Sequence, residues 1–462
     1  MSTLSDVSAW TAEQLPALIE KYDVPAAAVA VLADGDVVDA AAGILHRGTG
    51  VEATTDSVFQ IGSVTKLWTS TLVMQLVDEG KVELDTPVRT YLPEFRIADE
   101  DEARVITTRM LLSHTAGFEG DIFTDTGMGD DCVEKFLGVL HDVPQLFPAG
   151  EQFSYNNAGF CVLGRLVEVL RDKTYDACLR EHLFAPLGLT HAATSPYEAI
   201  MFRAAMGHVE LEPGTGFQPA PVWALARSNA PAGSMLAMRA RDLLKFAEMH
   251  LNDGRAADGT QVLSPGTAAR MHKREVDLPY LGLMGDSWGL GFELFDTAAG
   301  PIVGHDGSTI GQNAFLRMVP DAGVAVALLT NGGDGISLYR DLVGHVFSEL
   351  TDTELPELPV PPDDPERIDA GRYVGTYSAQ VADLEVSQDD EGRIWLVQTP
   401  KGFFEELGEQ PQRRELVHFR GDSLINVEPE HGMHIPHAFV GDDGDGHALY
   451  LHIGRAIRRA GA

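Results

Sequence analysis

Residues 60–67 read Gln60-Ile61-Gly62-Ser63-Val64-Thr65-Lys66-Leu67, where a glycine-led turn runs into a long amphipathic stretch. If a helix begins at or near Ser63, the serine hydroxyl lies at the positive end of the helix dipole, and Lys66 follows one turn later on the same face. A serine hydroxyl becomes a good nucleophile only when a nearby base takes its proton. A lysine amine can do this once burial and neighbouring charges lower its pKa toward neutrality. The pair therefore predicts a covalent acyl-transfer enzyme.

Two further motifs follow along the chain, first Tyr155-Asn156-Asn157 and then His305-Asp306-Gly307-Ser308. Each of the three motifs alone has an ordinary structural interpretation. Ser-x-x-Lys occurs by chance at many helix starts, where the serine caps the helix, Tyr-x-Asn can form a turn, and His-x-Gly can begin a strand. Their joint occurrence in this order indicates a single catalytic centre.

At these motifs the chain resembles the penicillin-recognising serine hydrolases, especially the class C β-lactamase-like branch, whose pattern is Ser-x-x-Lys, Tyr-x-Asn and Lys/His-x-Gly. The resemblance covers roughly residues 10–350. Further stretches that resemble the family are residues 111–117, 147–150, 231–234 and 321–331. The resemblance implies an α/β fold of the β-lactamase/transpeptidase type, in which a mixed sheet carries an inserted helical subdomain.

Apolar periodicity predicts the same architecture. It indicates helices over residues 7–22, from Ser63 to Glu79, and over 338–350, with strands over 26–32, 315–319 and 324–329. Residues 85–230 are predicted to be mostly helical and rich in loops. Strands from both ends of the chain that flank a helical middle are typical of a mixed α/β sheet.

A proline-rich stretch divides the chain. Residues 354–366 combine prolines with acidic neighbours and predict a stiff linker between a hydrolase domain, residues 1–353, and a second domain, residues 367–462. The second domain has short apolar stretches separated by turns rich in glycine and aspartate, which predict seven or eight strands in a small antiparallel barrel. It resembles the lipocalin-like domain attached to some members of the family.

The resemblance implies a role for each motif residue. Ser63 would attack the substrate carbonyl and become acylated, while Lys66 and Tyr155 would share general-base duty. Asn157 would hydrogen-bond to Lys66 or to the substrate amide. The backbone N–H groups of Ser63 and Ser308 would form the oxyanion hole.

The third motif carries histidine where classical penicillin targets and most β-lactamases carry lysine. A lysine supplies a permanent charge for a substrate carboxylate, whereas His305 titrates near neutrality. In the family, histidine here accompanies esterases, D-stereospecific amidases and peptidases, and peptide-cyclising thioesterases. Because tyrosine ordinarily keeps its proton at neutral pH, we expect Lys66, and His305 when protonated, to supply the positive field that Tyr155 needs. Asp306 and Gly307 are predicted to contact the substrate.

Several residues near the motifs are weaker candidates. Ser113 and His114 are adjacent and therefore rarely face one another, so structural roles are expected for both. Asp121 and Asp125 are expected to shape a loop near the site, the alternative being a solvated acidic loop.

The second domain offers its own candidates. Arg455 is predicted to lie on or just after the last barrel strand, where it is either a surface cation or, if the barrel folds over the catalytic mouth, a ligand for polar atoms of the substrate. Phe403 and Phe404 would line the same mouth or pack into a core.

Composition restricts the partners. Sixty-nine acidic residues against 34 basic ones give a net charge of −35, which argues against nucleic acid and anionic membranes. The first 25 residues show neither a signal peptide nor a transmembrane stretch, which predicts a cytoplasmic protein. The three cysteines lack metal-binding spacing, so neither a metal nor a cofactor is expected.

Four functions fit these observations. The first is a stand-alone peptide cyclase, a penicillin-binding-protein-type thioesterase that takes a linear peptidyl thioester from the carrier protein of a nonribosomal peptide synthetase onto Ser63. The peptide's own amine then closes a macrolactam, with a D-residue expected at the acyl end. The second is a D-aminopeptidase, D-amidase or esterase, the third a β-lactamase and the fourth a silent binding protein. Cyclisation and hydrolysis differ only in which nucleophile reaches the acyl-enzyme and in how well water is excluded.

Overall fold

A nine-stranded antiparallel sheet forms the centre of the larger part of the molecule. The computed structural model describes residues 2–210, 214–282, 284–402, 405, 408–430 and 432–461. The strand order of the sheet is β3-β2-β1-β14-β13-β12-β11-β10-β9. The strands of this part of the chain are β1 Ala26–Ala33, β2 Asp36–His46, β3 Val51–Glu52, β4 Phe59–Gln60, β5 Ala192–Ala193, β6 His208–Val209, β7 Gln218–Pro219, β8 Ala237–Met238, β9 Val276–Asp277, β10 Ser287–Trp288, β11 Glu293–Phe295, β12 Ile302–Ser308, β13 Asn313–Val319 and β14 Val324–Thr330.

Helices cover both faces of this sheet. They are α1 Leu4–Lys21, α2 Thr65–Asp78, α3 Glu100–Ala103, α4 Thr108–Leu112, α5 Cys132–Val139, α6 Asn157–Arg171, α7 Tyr175–Leu179, α8 Pro196–Ala199, α9 Ala240–Leu251, α10 Thr267–Met271 and α11 Gly335–Leu350. None of these helices, within the described ranges, is long and apolar enough to cross a membrane.

Strand β1 shows why the sheet is buried on both sides. Successive side chains of a strand point to opposite faces. Ala27, Val29 and Val31 accordingly pack with residues of α1 and α11, whereas Ala28, Ala30 and Leu32 pack with the helices of the inserted region. The small alanines let α1 and α9 approach the sheet closely.

The first residues of α1 and α2 differ from those predicted from the sequence. Helix α1 begins at Leu4 rather than at residue 7, because Thr3 and Asp6 form a reciprocal capping box. The predicted helix at Ser63 is split into a 3₁₀ turn, Gly62–Val64, and the α-helix that begins at Thr65.

The C-terminal strands close into an eight-stranded antiparallel barrel. They are β15 Gly375–Ser378, β16 Ala382–Gln388, β17 Ile394–Pro400, β18 Gln412–Arg420, β19 Ser423–Asn426, β20 Pro436–Val440, β21 Tyr450–His452 and β22 Ala456–Arg459. Closure occurs where Tyr377 of β15 pairs with Arg459 of β22. The predicted α/β architecture with a C-terminal antiparallel barrel is confirmed. The central sheet was predicted to be mixed, but its described pairings are all antiparallel.

The position predicted for Arg455 is wrong. The sequence pattern placed this residue on or just after the last strand, but it lies in the turn between β21 and β22. Strand β22 was not predicted because it is short and carries Arg458 and Arg459. Gly454, with a φ of +95°, permits the tight turn that reverses the chain before it.

Candidate active site

Ser63 and Lys66 are in hydrogen-bond contact at the base of a cavity of about 660 Å³ that Ser63 lines. The Lys66 Nζ atom lies 3.1 Å from Ser63 Oγ, 2.7 Å from Asn157 Oδ1 and 2.7 Å from the carbonyl oxygen of Ala232. Burial lowers the pKa of Lys66 to about 7, with a further contribution from the charge of Arg455. A neutral amine donates its two hydrogens to Asn157 and Ala232 and directs its lone pair at the serine hydroxyl. This arrangement suits a general base.

Tyr155 lies beside this pair as a buried phenol. Its ring centroid is 4.7 Å from Lys66 Nζ and 4.8 Å from the guanidinium carbon of Arg455. Burial raises the pKa of Tyr155, while its hydrogen bond with Ser63 and the charge of Arg455 act in the opposite direction. The raised pKa favours a phenol that relays a proton over a free phenolate.

Three glycines bring the backbone around Ser63 into close contact. A Cβ on Gly307 would lie 2.0 Å from the Ile61 carbonyl oxygen, and one on Gly233 would lie 2.4 Å from the Gly62 carbonyl oxygen. A Cβ on Gly62 would lie 2.6 Å from the Ser308 nitrogen, so the serine turn and the end of β12 are adjacent.

The direction of the Ser308 N–H follows from the strand pairing. The Thr309 N–H donates to the Gln312 carbonyl oxygen at 3.0 Å. Along an antiparallel ladder, residue pairs that exchange hydrogen bonds alternate with pairs that do not. The residue before Thr309, Ser308, therefore points its N–H away from β13. This direction suits the predicted oxyanion hole with the Ser63 N–H.

His305 does not supply the expected positive charge. Its side chain is 2% exposed, and burial lowers its pKa well below the usual value, with the Lys66 charge acting in the same direction. Its Nδ1 atom contacts the Asp306 carbonyl oxygen, which fixes the proton there and leaves Nε2 as an acceptor. The cation beside Tyr155 is instead Arg455.

A buried charged network behind His305 was not anticipated. Glu293 Oε1 lies 3.6 Å from His305 Nδ1 and accepts the Asp306 N–H at 3.2 Å. Arg317 Nη2 forms an ion pair with Asp306 Oδ1 at 2.7 Å. The Asp306 carboxylate lines the cavity but is already paired with this internal cation. Burial and the proximity of Asp306 raise the pKa of Glu293 to about 8. A lone Glu at the start of a three-residue strand carries no sequence signal for such a network.

The barrel reaches the catalytic residues through Arg455. Its Nε atom donates to Asp121 Oδ2 at 2.9 Å, and Asp121 Oδ1 accepts from Asn157 Nδ2 at 2.7 Å. Asn157 in turn accepts from Lys66. Arg455, Asp121, Asn157 and Lys66 therefore form one chain of polar contacts across the two parts of the molecule. Arg455 also lines the cavity of Ser63.

His114 has a structural role, as expected, and its ring packs directly against that of Tyr155. Its ring centroid lies 4.3 Å from that of Tyr155, and its Nδ1 accepts the Asn156 N–H at 2.9 Å. Ser113 donates to the Arg109 carbonyl oxygen. His114 supports the tyrosine motif, a role that depends on contacts distant in sequence.

Asp125, Phe403 and Phe404 are the remaining candidates. Asp125 caps its own loop by accepting the Gly127 N–H, whereas Phe403 and Phe404 lie outside the described residues. Among the residues that the structure describes, no group of three or more His, Cys, Asp or Glu side chains could hold a metal ion.

The α/β fold and the Ser-x-x-Lys pair, with Ser63 at the cavity and Lys66 buried behind it, define a serine acyl-transfer enzyme. The family model for the beta-lactamases matches residues 11–346, and the chain belongs to this family. It is 48% identical over 370 residues to penicillin-binding protein 4 of Amycolatopsis lactamdurans, an alignment that covers 80% of this chain and 97% of the relative.

Solved structures extend the similarity to the barrel. The crystal structure of SurE superposes with a TM-score of 0.79 at 29% identity, covering 99% of this chain and all of SurE. SurE in complex with D-Leu gives 0.76 at the same identity over 98% of this chain and all of SurE. The D-amino acid amidase of Ochrobactrum anthropi SV3 with D-phenylalanine shares the fold at a TM-score of 0.62 and 23% identity, over 74% of this chain and 98% of the amidase.

Proposed function

We propose that the protein offloads and cyclises a peptidyl chain through an ester with Ser63, head to tail, and prefers a D-residue at the acyl end. The observation that carries the acyl-transfer step is the contact between Ser63 and the buried Lys66, whose pKa burial lowers to about 7. Similarity to SurE over both parts of the chain, and the D-Leu bound in one SurE structure, support the D-residue.

The first half-reaction transfers the peptide to the enzyme. Ser63 Oγ bonds to the thioester carbonyl carbon while its proton passes to Lys66. The oxyanion accepts hydrogen bonds from the N–H groups of Ser63 and Ser308. The C–S bond then breaks, and the thiol leaves with the proton that Lys66 and Tyr155 relay.

The second half-reaction releases the product. The peptide's N-terminal amine attacks the ester carbonyl and forms the amide bond, the Ser63 C–O bond breaks, and the amine's proton returns to Ser63 Oγ. Water in place of the amine gives the linear acid from the same residues. We expect the amine to react faster than water when the bound chain holds the amine against the ester and excludes water.

Mass spectrometry of the products tests this proposal. The substrate is a peptidyl thioester with a free N-terminus and a D-residue at its C-terminus, and the matched control carries the L-residue. We expect a product lighter than the linear acid by one water, formed faster from the D-substrate and absent with Ser63→Ala. Linear acid alone from the wild type indicates the D-stereospecific hydrolase instead, and no consumption of either thioester contradicts the acyl-transfer assignment for this substrate class.

A further inference from the structure

A second cavity, of about 950 Å³, adjoins the cavity of Ser63. The two share four lining residues, which form the wall between them: Phe123, Leu225, Asn229 and Ile310. The second cavity extends between the loop of residues 121–128, the loop of residues 222–226 and the barrel segment around Val381. Each cavity is large enough for a ligand of drug size. One reacting residue at Ser63 would leave most of this space unused.

The chemistry of the second cavity restricts its ligand. Its described lining contains no lysine, arginine or histidine, so nothing there attracts an anion. Trp223, whose Nε1–H donates to the Ala205 carbonyl oxygen at 2.8 Å, presents a fixed aromatic wall. Met128 and Val222 line the cavity although 50% and 48% of their surfaces are exposed. Exposed apolar side chains grouped around a cavity mark a surface that binds apolar groups.

The wall between the cavities carries a polar atom without a partner. Asn229 is 4% exposed and donates its amide N–H to the Ile122 carbonyl oxygen at 3.0 Å. Its Oδ1 atom is buried and accepts no hydrogen bond from the described residues. A buried acceptor without a donor costs free energy, so the Asn229 side chain would gain by turning Oδ1 toward a ligand that supplies an N–H at this point. A peptide backbone supplies one, whereas a fatty acyl chain does not.

We infer that the second cavity, which Asp121 and Asp125 also line, binds the non-reacting body of the acyl chain, a peptide with apolar and without acidic side chains whose backbone N–H donates to Asn229 Oδ1. The inference rests on the proposed function for the orientation of the chain, with its acyl end at Ser63. The expected substrates are then apolar peptides of several residues. The enzyme should discriminate between peptides by length, because only a long chain reaches the second cavity. Binding of the body in a fixed place also converts the second half-reaction into a nearly intramolecular encounter.

Calorimetric titration of Ser63→Ala tests the inference without relying on turnover. The probes are an apolar heptapeptide amide and a dipeptide amide with the same C-terminal D-residue. We expect the heptapeptide to bind at least about tenfold more tightly, since several additional apolar side chains are buried. Adding Val222→Glu, which places a charge in a half-exposed wall, should remove most of this advantage. The control Val105→Glu, an exposed valine after α3, should keep it.

The outcomes separate the inference from the proposed function. Equal affinity for the two amides, or equal loss of affinity from Val222→Glu and Val105→Glu, overturns the second site. Selective loss from Val222→Glu supports it even if the wild-type enzyme hydrolyses the thioester. A wild-type enzyme that consumes no thioester would remove the proposed function and leave the binding result to stand by itself.

Discussion

Two walls of the catalytic cavity are built in different ways. The serine wall, defined here as residues 61–66 with Gly233 and Gly307, is held by close backbone contacts within the catalytic part of the chain. The tyrosine wall, defined as residues 153–157, is held in large part by the turn between β21 and β22 of the barrel. The nucleophile is therefore supported from within the catalytic part of the chain, whereas its proton relay depends on a barrel segment three hundred residues away in sequence.

The contacts of the tyrosine wall show this dependence. The Tyr155 N–H donates to the Gly454 carbonyl oxygen at 2.9 Å, and the Ala456 N–H donates to Ser154 Oγ at 3.1 Å. His452 Nε2 lies 2.8 Å from the Phe153 carbonyl oxygen. The barrel thus orients the catalytic tyrosine through backbone contacts, in addition to supplying Arg455.

Gly307→Ala tests the serine wall and should have the largest effect. The added Cβ would lie 2.0 Å from the Ile61 carbonyl oxygen and 3.0 Å from the Ser63 nitrogen, so the two oxyanion donors must separate. We expect kcat to fall by about 100–1,000-fold, as for the loss of one oxyanion donor. Steady-state kinetics with the peptidyl thioester measure this. Gly138→Ala is the control, because a Cβ there meets no atom within 4 Å. Equal effects of the two changes would contradict the role of close packing.

His452→Leu tests the tyrosine wall. In the wild type, His452 Nδ1 accepts the Gly454 N–H at 3.2 Å while Nε2–H donates to Phe153, so leucine leaves both backbone groups without this partner. We expect kcat to fall by about 10–100-fold, which corresponds to about 1.4–2.7 kcal/mol, with little change in KM. The control is Tyr450→Phe, which removes a hydrogen bond to Leu146 from the same part of the barrel. If both variants lower kcat alike, the barrel contributes stability rather than the position of Tyr155.

The difference between the walls also explains what the sequence could predict. Ser63 lies in the 3₁₀ turn that leads directly into α2, and Lys66 lies three residues later in the first turn of α2, so local spacing places them together. Tyr155 and His305 were found by motif, but their surroundings depend on distant contacts. His114 beneath Tyr155, Glu293 behind His305 and the position of Arg455 all follow from tertiary packing, which no local pattern encodes. The neutral state of His305 has the same origin, because only burial shows that its pKa is lowered.

The pH dependence of the wild type tests the serine wall without mutation. Lys66 accepts a proton only as the neutral amine, and burial lowers its pKa to about 7. We expect kcat/KM to rise about tenfold per pH unit below this pKa and to level above it. A profile that kept rising toward the ordinary pKa of lysine would show that Lys66 is charged at neutral pH and that burial does not prepare it as the base.

Arg455→Gln tests the polar chain that joins the walls and should have the smallest effect. The guanidinium lowers the pKa of Lys66, and its loss also leaves the Asp121 carboxylate, which raises that pKa, without its cation. Both changes favour the charged amine and should raise the pKa of Lys66. The rising part of the pH profile should therefore shift to higher pH, and kcat/KM below about pH 7 should fall a few-fold. Arg458→Gln, an exposed cation on the adjacent strand, removes the same net charge without contact to Asp121 and should leave the limb in place. Equal pH shifts in the two variants would mean that the pKa of Lys66 responds to the net charge of the protein. A shift in Arg455→Gln alone would assign the effect to the contacts through Asp121 and Asn157.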